Sequence, residues 1–355
     1  MHIKKKWYII LYLCLGLYLG YTDRLFATTS GYDKDGISPS GPIPVRNQMP
    51  LYLFFMQMAP DKASTLEKGK LSINADYIVS NISVSAFTPA TSLYDIQIDM
   101  EVSRITLDFR YGLCDKLEVG LEIPYIGFSS GYLDDFVEDF EDTINARTPR
   151  SRQRQGSFEL DYTFKYDYNY LIQAKTSKKG IGDIIASSKY QLFEDGIFNC
   201  WVPNLSFRAA VKFPTADKDD LLGSGKLDYG CGFLLDKAFL NKKLFVYFGG
   251  NMVHIKKPEI FNVLDMDKKI YSYFTALEYF LTKRFSLITE ISGNTTPYPH
   301  SDTNPLDNDA HEWTIGFNYN LKHKTEIYWN FAVVENIRSA SSPDVSFCSG
   351  IEWRF

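Results

Sequence analysis

The chain closes on Val345-Ser346-Phe347-Cys348-Ser349-Gly350-Ile351-Glu352-Trp353-Arg354-Phe355, and the reading of this stretch decides the fold. Val345, Phe347, Ile351, Trp353 and Phe355 share one parity, whereas Ser346, Cys348, Gly350, Glu352 and Arg354 share the other. Side chains of an extended strand point alternately to its two faces. The stretch is therefore a strand with one apolar, aromatic face and one polar, charged face. Such a strand fits a soluble sandwich with its apolar side inward, or a membrane barrel with its apolar side outward.

The same alternation recurs upstream. Leu117, Val119, Leu121, Ile123 and Tyr125 oppose Glu118, Gly120 and Glu122; Leu205, Phe207, Ala209, Val211 and Phe213 oppose Ser206, Arg208, Ala210 and Lys212. Leu227, Tyr229, Cys231, Phe233 and Leu235 oppose Asp228, Gly230, Gly232 and Asp236, and Trp313, Ile315, Phe317, Tyr319 and Leu321 oppose Thr314, Gly316, Asn318 and Asn320. Residues 95–111 change phase: Ile96, Ile98, Met100 and Val102 are even, but Ile105, Leu107, Phe109 and Tyr111 are odd. A β-bulge near Ser103-Arg104 is the expected reconciliation.

The N-terminus chooses between sandwich and barrel. Lys4, Lys5 and Lys6 precede an apolar run from Trp7 to Tyr21, and Leu25-Phe26-Ala27 offers a cleavage position. Residues 1–27 thus read as a secretory signal peptide. The run is shorter than the roughly 20 apolar residues of a spanning helix, and charged residues recur throughout the remainder. Lipid offers no partners to unpaired backbone groups, so an exported chain of this kind enters a membrane only as a closed barrel. With 24 Tyr and 26 Phe, 15% of residues are aromatic, enough for girdles at both strand ends. The mean hydropathy of -0.20 fits, because lumen-facing polar residues dilute the apolar ones. A net charge of -5 excludes a broad nucleic-acid surface. The aromatic last residue, Phe355, resembles the terminal signal of outer-membrane barrels, so lipid and the barrel-assembly machinery are the expected partners.

Turn lengths then give a strand count. Short turns near 112–116, 194–199, 239–242, 281–284 and 320–324 alternate with longer connections near 85–94, 128–180, 214–225, 255–268, 295–310 and 336–343. Barrels of this class keep short turns in the periplasm and long loops outside. The expected fold is all-β: a single transmembrane antiparallel β-barrel of about 12 strands over 69–355, with both ends periplasmic. Two segments are left over: 158–172, which is Tyr-rich, and 51–56, which is apolar without alternating. As wall strands they would raise the count to 14. Residues 28–68 form a periplasmic or lumenal segment. Pro42, Pro44 and Pro50 favour an irregular, fixed course. We expect 37–60 inside the lumen as a plug, with Arg46, Asn47, Gln48 and Pro50 as the candidate plug residues; the alternative is a lead-in against the barrel base.

Gly41-Pro42-Ile43-Pro44-Val45-Arg46-Asn47-Gln48-Met49-Pro50-Leu51 resembles the opening motif of an uncharacterised bacterial outer-membrane family, domain of unknown function 3187. Gly180-Ile181-Gly182-Asp183-Ile184, the Phe213-Pro214-Thr215 stretch through Leu222-Gly223-Ser224-Gly225, and Pro343-Asp344-Val345-Ser346-Phe347 resemble the same family. The likeness spans nearly the whole mature chain. It implies a membrane barrel in the outer membrane and carries no reaction or substrate.

Parity places Glu118, Glu122, Asp183, Lys189, Arg208, Lys212, Glu278 and Glu290 on the lumen, with Asp228, Glu326 and Arg354 beside them. Such charges either set selectivity or fill a narrow interior as paired groups. No catalytic residue, metal site or cofactor is expected: the cysteine spacing does not resemble a zinc site, and His254, His300, His311 and His323 lack the Ser partner that a membrane hydrolase needs. Cys114 and Cys200 fall at neighbouring turns, where an oxidising periplasm permits a bridge. Residues 134–154 carry Phe136, Phe140 and Ile144 at helical spacing, so a short helix folding over the mouth competes with a solvated loop. The leading function is a channel or transporter for small molecules, hydrophobic ones included. A sealed structural or interaction barrel is the alternative, and a membrane hydrolase comes third.

Overall fold

The computed structural model describes residues 39–88, 93–131, 160–194, 202–322, 326–337 and 341–355. Residues 1–27, expected to be a signal peptide, the short helix expected within 134–154, Cys200 and His323 lie outside the described residues. The barrel wall runs through β1 (Leu71–Phe87), β2 (Tyr94–Cys114) and β3 (Leu117–Ser129). It continues with β6 (Lys178–Ile181), β7 (Ile184–Phe193), β8 (Asn204–Phe213), β9 (Asp228–Phe239) and β10 (Leu244–His254). It closes with β11 (Lys269–Phe280), β12 (Phe285–Asn294), β13 (Ala310–Lys322), β14 (Ile327–Asn336) and β15 (Val345–Arg354). A hairpin of β4 (Asp161–Tyr166) and β5 (Asn169–Ala174) branches from it.

Each wall strand pairs antiparallel with the next, and β15 returns to β1 from Ser72↔Arg354 to Asn81↔Val345. The Phe355 amide donates to the Leu71 carbonyl at 2.8 Å, which finishes the seam. Closure leaves no open strand edge in lipid. β6 and β7 lie along the upper and lower parts of β3 as one wall strand. A one-residue offset at Gly182-Asp183 separates Tyr125↔Ile181 from Glu122↔Ile185. The wall therefore has twelve strands, as turn lengths predict.

The register of β1 on β2 runs unbroken from Leu71↔Tyr111 to Phe87↔Asp95, so there is no bulge at Ser103-Arg104. Even residues of β2 face inward from Tyr94 to Gly112, where the pairing with β3 shifts register. Near the short turn they are Arg110, Asp108 and Arg104; toward the long-loop end they are the buried Val102, Met100, Ile98 and Ile96. The outward face changes in the opposite sense, from exposed Tyr111, Leu107 and Ile105 to Ser103, Asp99, Gln97 and Asp95. The phase change marks where the strand leaves the apolar belt. Above that level the wall is built like a water-soluble sheet, apolar inside and polar outside.

That level also explains the 158–172 segment. β3 pairs with β2 only from Glu101 toward the short turn, and β4 takes over from Tyr94 to Asp99. The β4–β5 hairpin is thus an extension of the rim and not a thirteenth and fourteenth wall strand. Around the belt, large apolar side chains such as Leu107, Leu121, Phe207, Leu277, Leu287 and Ile315 are exposed. Burying each in lipid is worth about 1.5–3 kcal/mol relative to water, so the belt defines the hydrocarbon-facing zone. Among the described residues no helix is long and apolar enough to cross a membrane.

Candidate functional site: the plugged lumen

Residues 39–66 run inside the barrel, with Glu67 and Lys68 exposed beyond them. Their one helical turn, α1 (Pro50–Leu53), starts on Pro50, whose missing N–H costs nothing at that position. The rest has no regular secondary structure, so its backbone groups must find partners elsewhere. The inward charges supply them. Lys212 donates to the Phe54 carbonyl at 2.7 Å and Arg208 to the Ala59 carbonyl at 2.6 Å. In the opposite sense, the amides of Met56, Ala63 and Leu66 donate to Asp228 (3.0 Å), Asp236 (2.6 Å) and Glu118 (2.9 Å). Wall cations thus hold plug carbonyls, and wall carboxylates hold plug amides.

Ion pairs tie the same elements together. Arg46 of the plug pairs with Glu122, which Arg104 also reaches at 3.0 Å. Asp61 lies between Arg110 (2.9 Å) and Lys189 (3.0 Å), and Lys189 continues to Glu118 at 3.2 Å. Lys212 lies between Asp183 (2.8 Å) and Asp228 (3.1 Å). Glu278 accepts from Tyr247 and Ser286 at 2.7 Å and from Asn318 at 3.0 Å; Asn318 also donates to the Gly41 carbonyl at 3.3 Å. Breaking one partner of such a buried pair costs about 3–5 kcal/mol.

Seven of the eight lumen candidates, from Glu118 to Glu278, therefore sit in separate clusters of ion pairs and hydrogen bonds around the plug, whereas Glu290 is buried outside them. Of the plug candidates, Arg46 reaches the wall, Asn47 donates to the Ser341 carbonyl at 2.8 Å, and the Gln48 amide stays on the Arg46 carbonyl at 2.8 Å. Glu326 does not join the lumen; it is exposed immediately before β14, with a positive φ of 45°. Arg354 does face inward, paired with Glu352 at 2.7 Å. Sequence reasoning missed Asp61, Arg104 and Arg110. Asp61 lies one residue past the expected plug, and its partners are 49 and 128 residues away, beyond any local spacing.

The long-loop half is sealed differently. Leu51, Tyr52, Phe54, Phe55 and Met56 join one apolar cluster with Ile96, Ile98, Met100, Tyr162, Phe164, Phe261 and Tyr298. Rings meet edge-on: Phe54 with Phe261 at 5.3 Å, Tyr52 with Tyr298 at 6.3 Å. Such aromatic pairs add about 0.5–1.5 kcal/mol beyond their area. The Tyr298 hydroxyl donates to the Leu51 carbonyl at 2.6 Å, so its polar end is satisfied within the cluster. On the outer rim, Lys226 (2.7 Å) and Lys218 (3.3 Å) hold the Glu259 carboxyl below the usual carboxylate range. Cavities between plug and wall measure about 50 Å³ beside β10–β13 and about 70 Å³ beside Asp61 and Lys189. That is room for a water or two.

A twelve-stranded antiparallel barrel with an outward apolar belt and a polar lumen is the fold of outer-membrane channel barrels. The chain belongs to the family described as protein of unknown function DUF3187, whose model matches residues 35–355. The COG4313 outer membrane channel from Pseudomonas putida F1 shares the barrel fold, with a TM-score of 0.53 at 14% identity over 84% of this chain and 99% of that one. Two further solved structures are similar at lower scores. The Ralstonia pickettii toluene transporter TbuX has a TM-score of 0.39 at 11% identity, covering 81% and 90%. The NanC porin has a TM-score of 0.41 at 9% identity, covering 80% and 98%. Comparison with curated protein sequences gives no match.

Proposed function

We propose that the protein is a channel of the bacterial outer membrane for small solutes, closed in this conformation by residues 39–66. The observation that carries the reading is how the plug is held. It is fixed to the charged half of the lumen through polar contacts to side chains, not through strand pairing with the wall. Such contacts exchange with water and ions when a segment withdraws, whereas a permanent filler would be better served by apolar packing. The withdrawn plug would leave a pathway lined by Glu118, Glu122, Asp183, Lys189, Arg208, Lys212, Glu278 and Glu290, whose mixed charges would set selectivity. Beyond it, the apolar half lined by Ile96, Ile98 and Met100 suits small hydrophobic cargo. The surrounding partner is outer-membrane lipid, and the strand ending in Phe355 is the segment that the assembly machinery engages.

The test is conductance in planar bilayers. The full barrel should be nearly silent, and the barrel lacking 39–66 should show steady, solute-dependent conductance. Silence in both forms would sink the channel reading. It would favour the second reading, a sealed structural or interaction barrel, for which the interlocked rings of Tyr52, Phe54, Phe261 and Tyr298 speak.

A further inference from the structure

Two inner-wall carboxylates stand apart from the contacts that hold the plug. Glu290 on β12 is 1% exposed and Glu312 on β13 is 6% exposed, and neither forms an ion pair among the described residues. Both oxygens of Glu290 lack a hydrogen-bond partner; the Ile43 amide approaches from the plug without closing one. Directly opposite Glu290 in the register is Thr314, fully buried, with its hydroxyl oxygen also unpartnered. Residues facing each other across an antiparallel pair have Cβ atoms about 4.5–5.5 Å apart. Glu312 lies two residues before Thr314, hence on the same inward face. It lines the cavity of about 50 Å³ between plug and wall, together with Ser292, Asn294 and Gln57. Arg46 reaches that cavity too, but its Nη2 is committed to Glu122 and its Nη1 to the Pro44 carbonyl, which leaves only Nε without a partner.

A buried carboxylate that keeps its charge is normally paired or holds a metal ion. The nearby inward cations are engaged: Arg104 with Glu122, Arg110 with Asp61 and Asp108, Lys189 with Asp61 and Glu118. What remains is a set of hard oxygen donors, two carboxylates and a hydroxyl. It matches the charge and ligand preference of calcium or magnesium, with room beside Glu312 for coordinating water. We propose that Glu290, Glu312 and Thr314 form a buried divalent-cation site between the β12–β13 wall and the plug. Ile43 and Val45 of the plug pack into the same apolar cluster as Phe274, Ala276, Ile288 and Val334, so they close over the site. Cation occupancy and plug closure are therefore coupled: the ion stabilises the plugged form, and a chelator loosens it.

The experiment uses the full-chain barrel, refolded in detergent and washed with EDTA. Calcium or magnesium is titrated while the unfolding midpoint and the bound-metal stoichiometry are recorded. One equivalent of metal, with a saturable rise in the midpoint, is expected for the wild type. Glu290→Gln and Glu312→Gln should each weaken the response at least tenfold, and Thr314→Val should weaken it less. Asp302→Asn, in the exposed His300–Asp302–Asp307 loop cluster, should leave it unchanged. If Glu290→Gln does not fold, Glu312→Gln and Thr314→Val carry the same comparison. Absence of a response in the wild type overturns the site, and an infrared band of protonated carboxyl that Glu290→Gln removes would identify protons as the compensating charge. A response lost in Asp302→Asn but kept in Glu290→Gln and Glu312→Gln overturns it equally, placing the metal on the loop.

Discussion

On β2, Arg110 and Arg104 face the plug with charge, whereas Val102, Met100, Ile98 and Ile96, further along the same face, pack the apolar half by contact alone. The same division holds across the lumen. Asp61, Ala63 and Leu66 meet carboxylates and ammonium groups, while Tyr52, Phe54 and Phe55 meet rings. The two halves answer different problems. An irregular backbone passing through a barrel needs partners for its amides and carbonyls, and long charged side chains reach them. A rim that stands above the lipid faces water on its outside and so keeps its apolar residues within, like any soluble fold. One half grips by contacts that water and ions can replace; the other excludes water.

Breaking each half separately tests that contrast. Glu122→Gln leaves Arg46 and Arg104 buried without their carboxylate, and plug docking should weaken by about 3–5 kcal/mol. Protease accessibility of residues 39–66 would report it. A plug as protected as in the wild type would show that charge does not hold it. Phe54→Ala removes the ring at the centre of the apolar seal, at a cost of about 3–5 kcal/mol to the folded rim. Here denaturant unfolding should shift while the Arg46–Glu122 region stays protected; concurrent loss of both would mean that the halves are a single unit. Tyr298→Phe deletes only the hydrogen bond to the Leu51 carbonyl and should cost about 0.5–1.5 kcal/mol by the same denaturation assay. A larger loss would mean that the Leu51 carbonyl finds no other partner. Lys218→Ala, which breaks one exposed contact to Glu259, should leave the unfolding midpoint where it is. A clear shift there would show that the outer rim contributes to closure.

Much of this architecture was legible in the sequence. Val345 to Phe355 set the parity of the last strand, and β15 does close on β1 in that register. Alternation of short and long turns yielded twelve strands because each short turn has to return the chain directly to its neighbour. Within strands the inward charges followed from parity. Parity put Glu326 inward as well, but parity holds only within a strand, and Glu326 is an exposed turn residue. The misreading at 95–111 has a physical origin: a period of two reports which side is apolar, not which side is inside. Above the belt those two cease to coincide, and Ile96, Ile98 and Met100 turned out to line the interior. Pairings such as Asp61 with Arg110 and Lys189 were illegible for another reason. The plug has no repeat, and its contacts are set by the closed wall around it. The isolation of Glu290 is likewise a property of the assembled interior, since nothing local distinguishes it from Glu278, which has three donors.

The central claim is that this lumen opens only when its own N-terminal segment moves. The most direct measurement locks that segment in place. Ser206 donates to the Ala63 carbonyl, which brings β8 and the plug into contact. Ala63→Cys with Ser206→Cys, in a chain whose native cysteines are replaced by serine, should bridge them. Recorded in planar bilayers under conditions that open the reduced protein, the oxidised barrel should be silent, and a reductant should restore its conductance. Equal conductance in both redox states would contradict the account, because solute would then pass without displacing the plug.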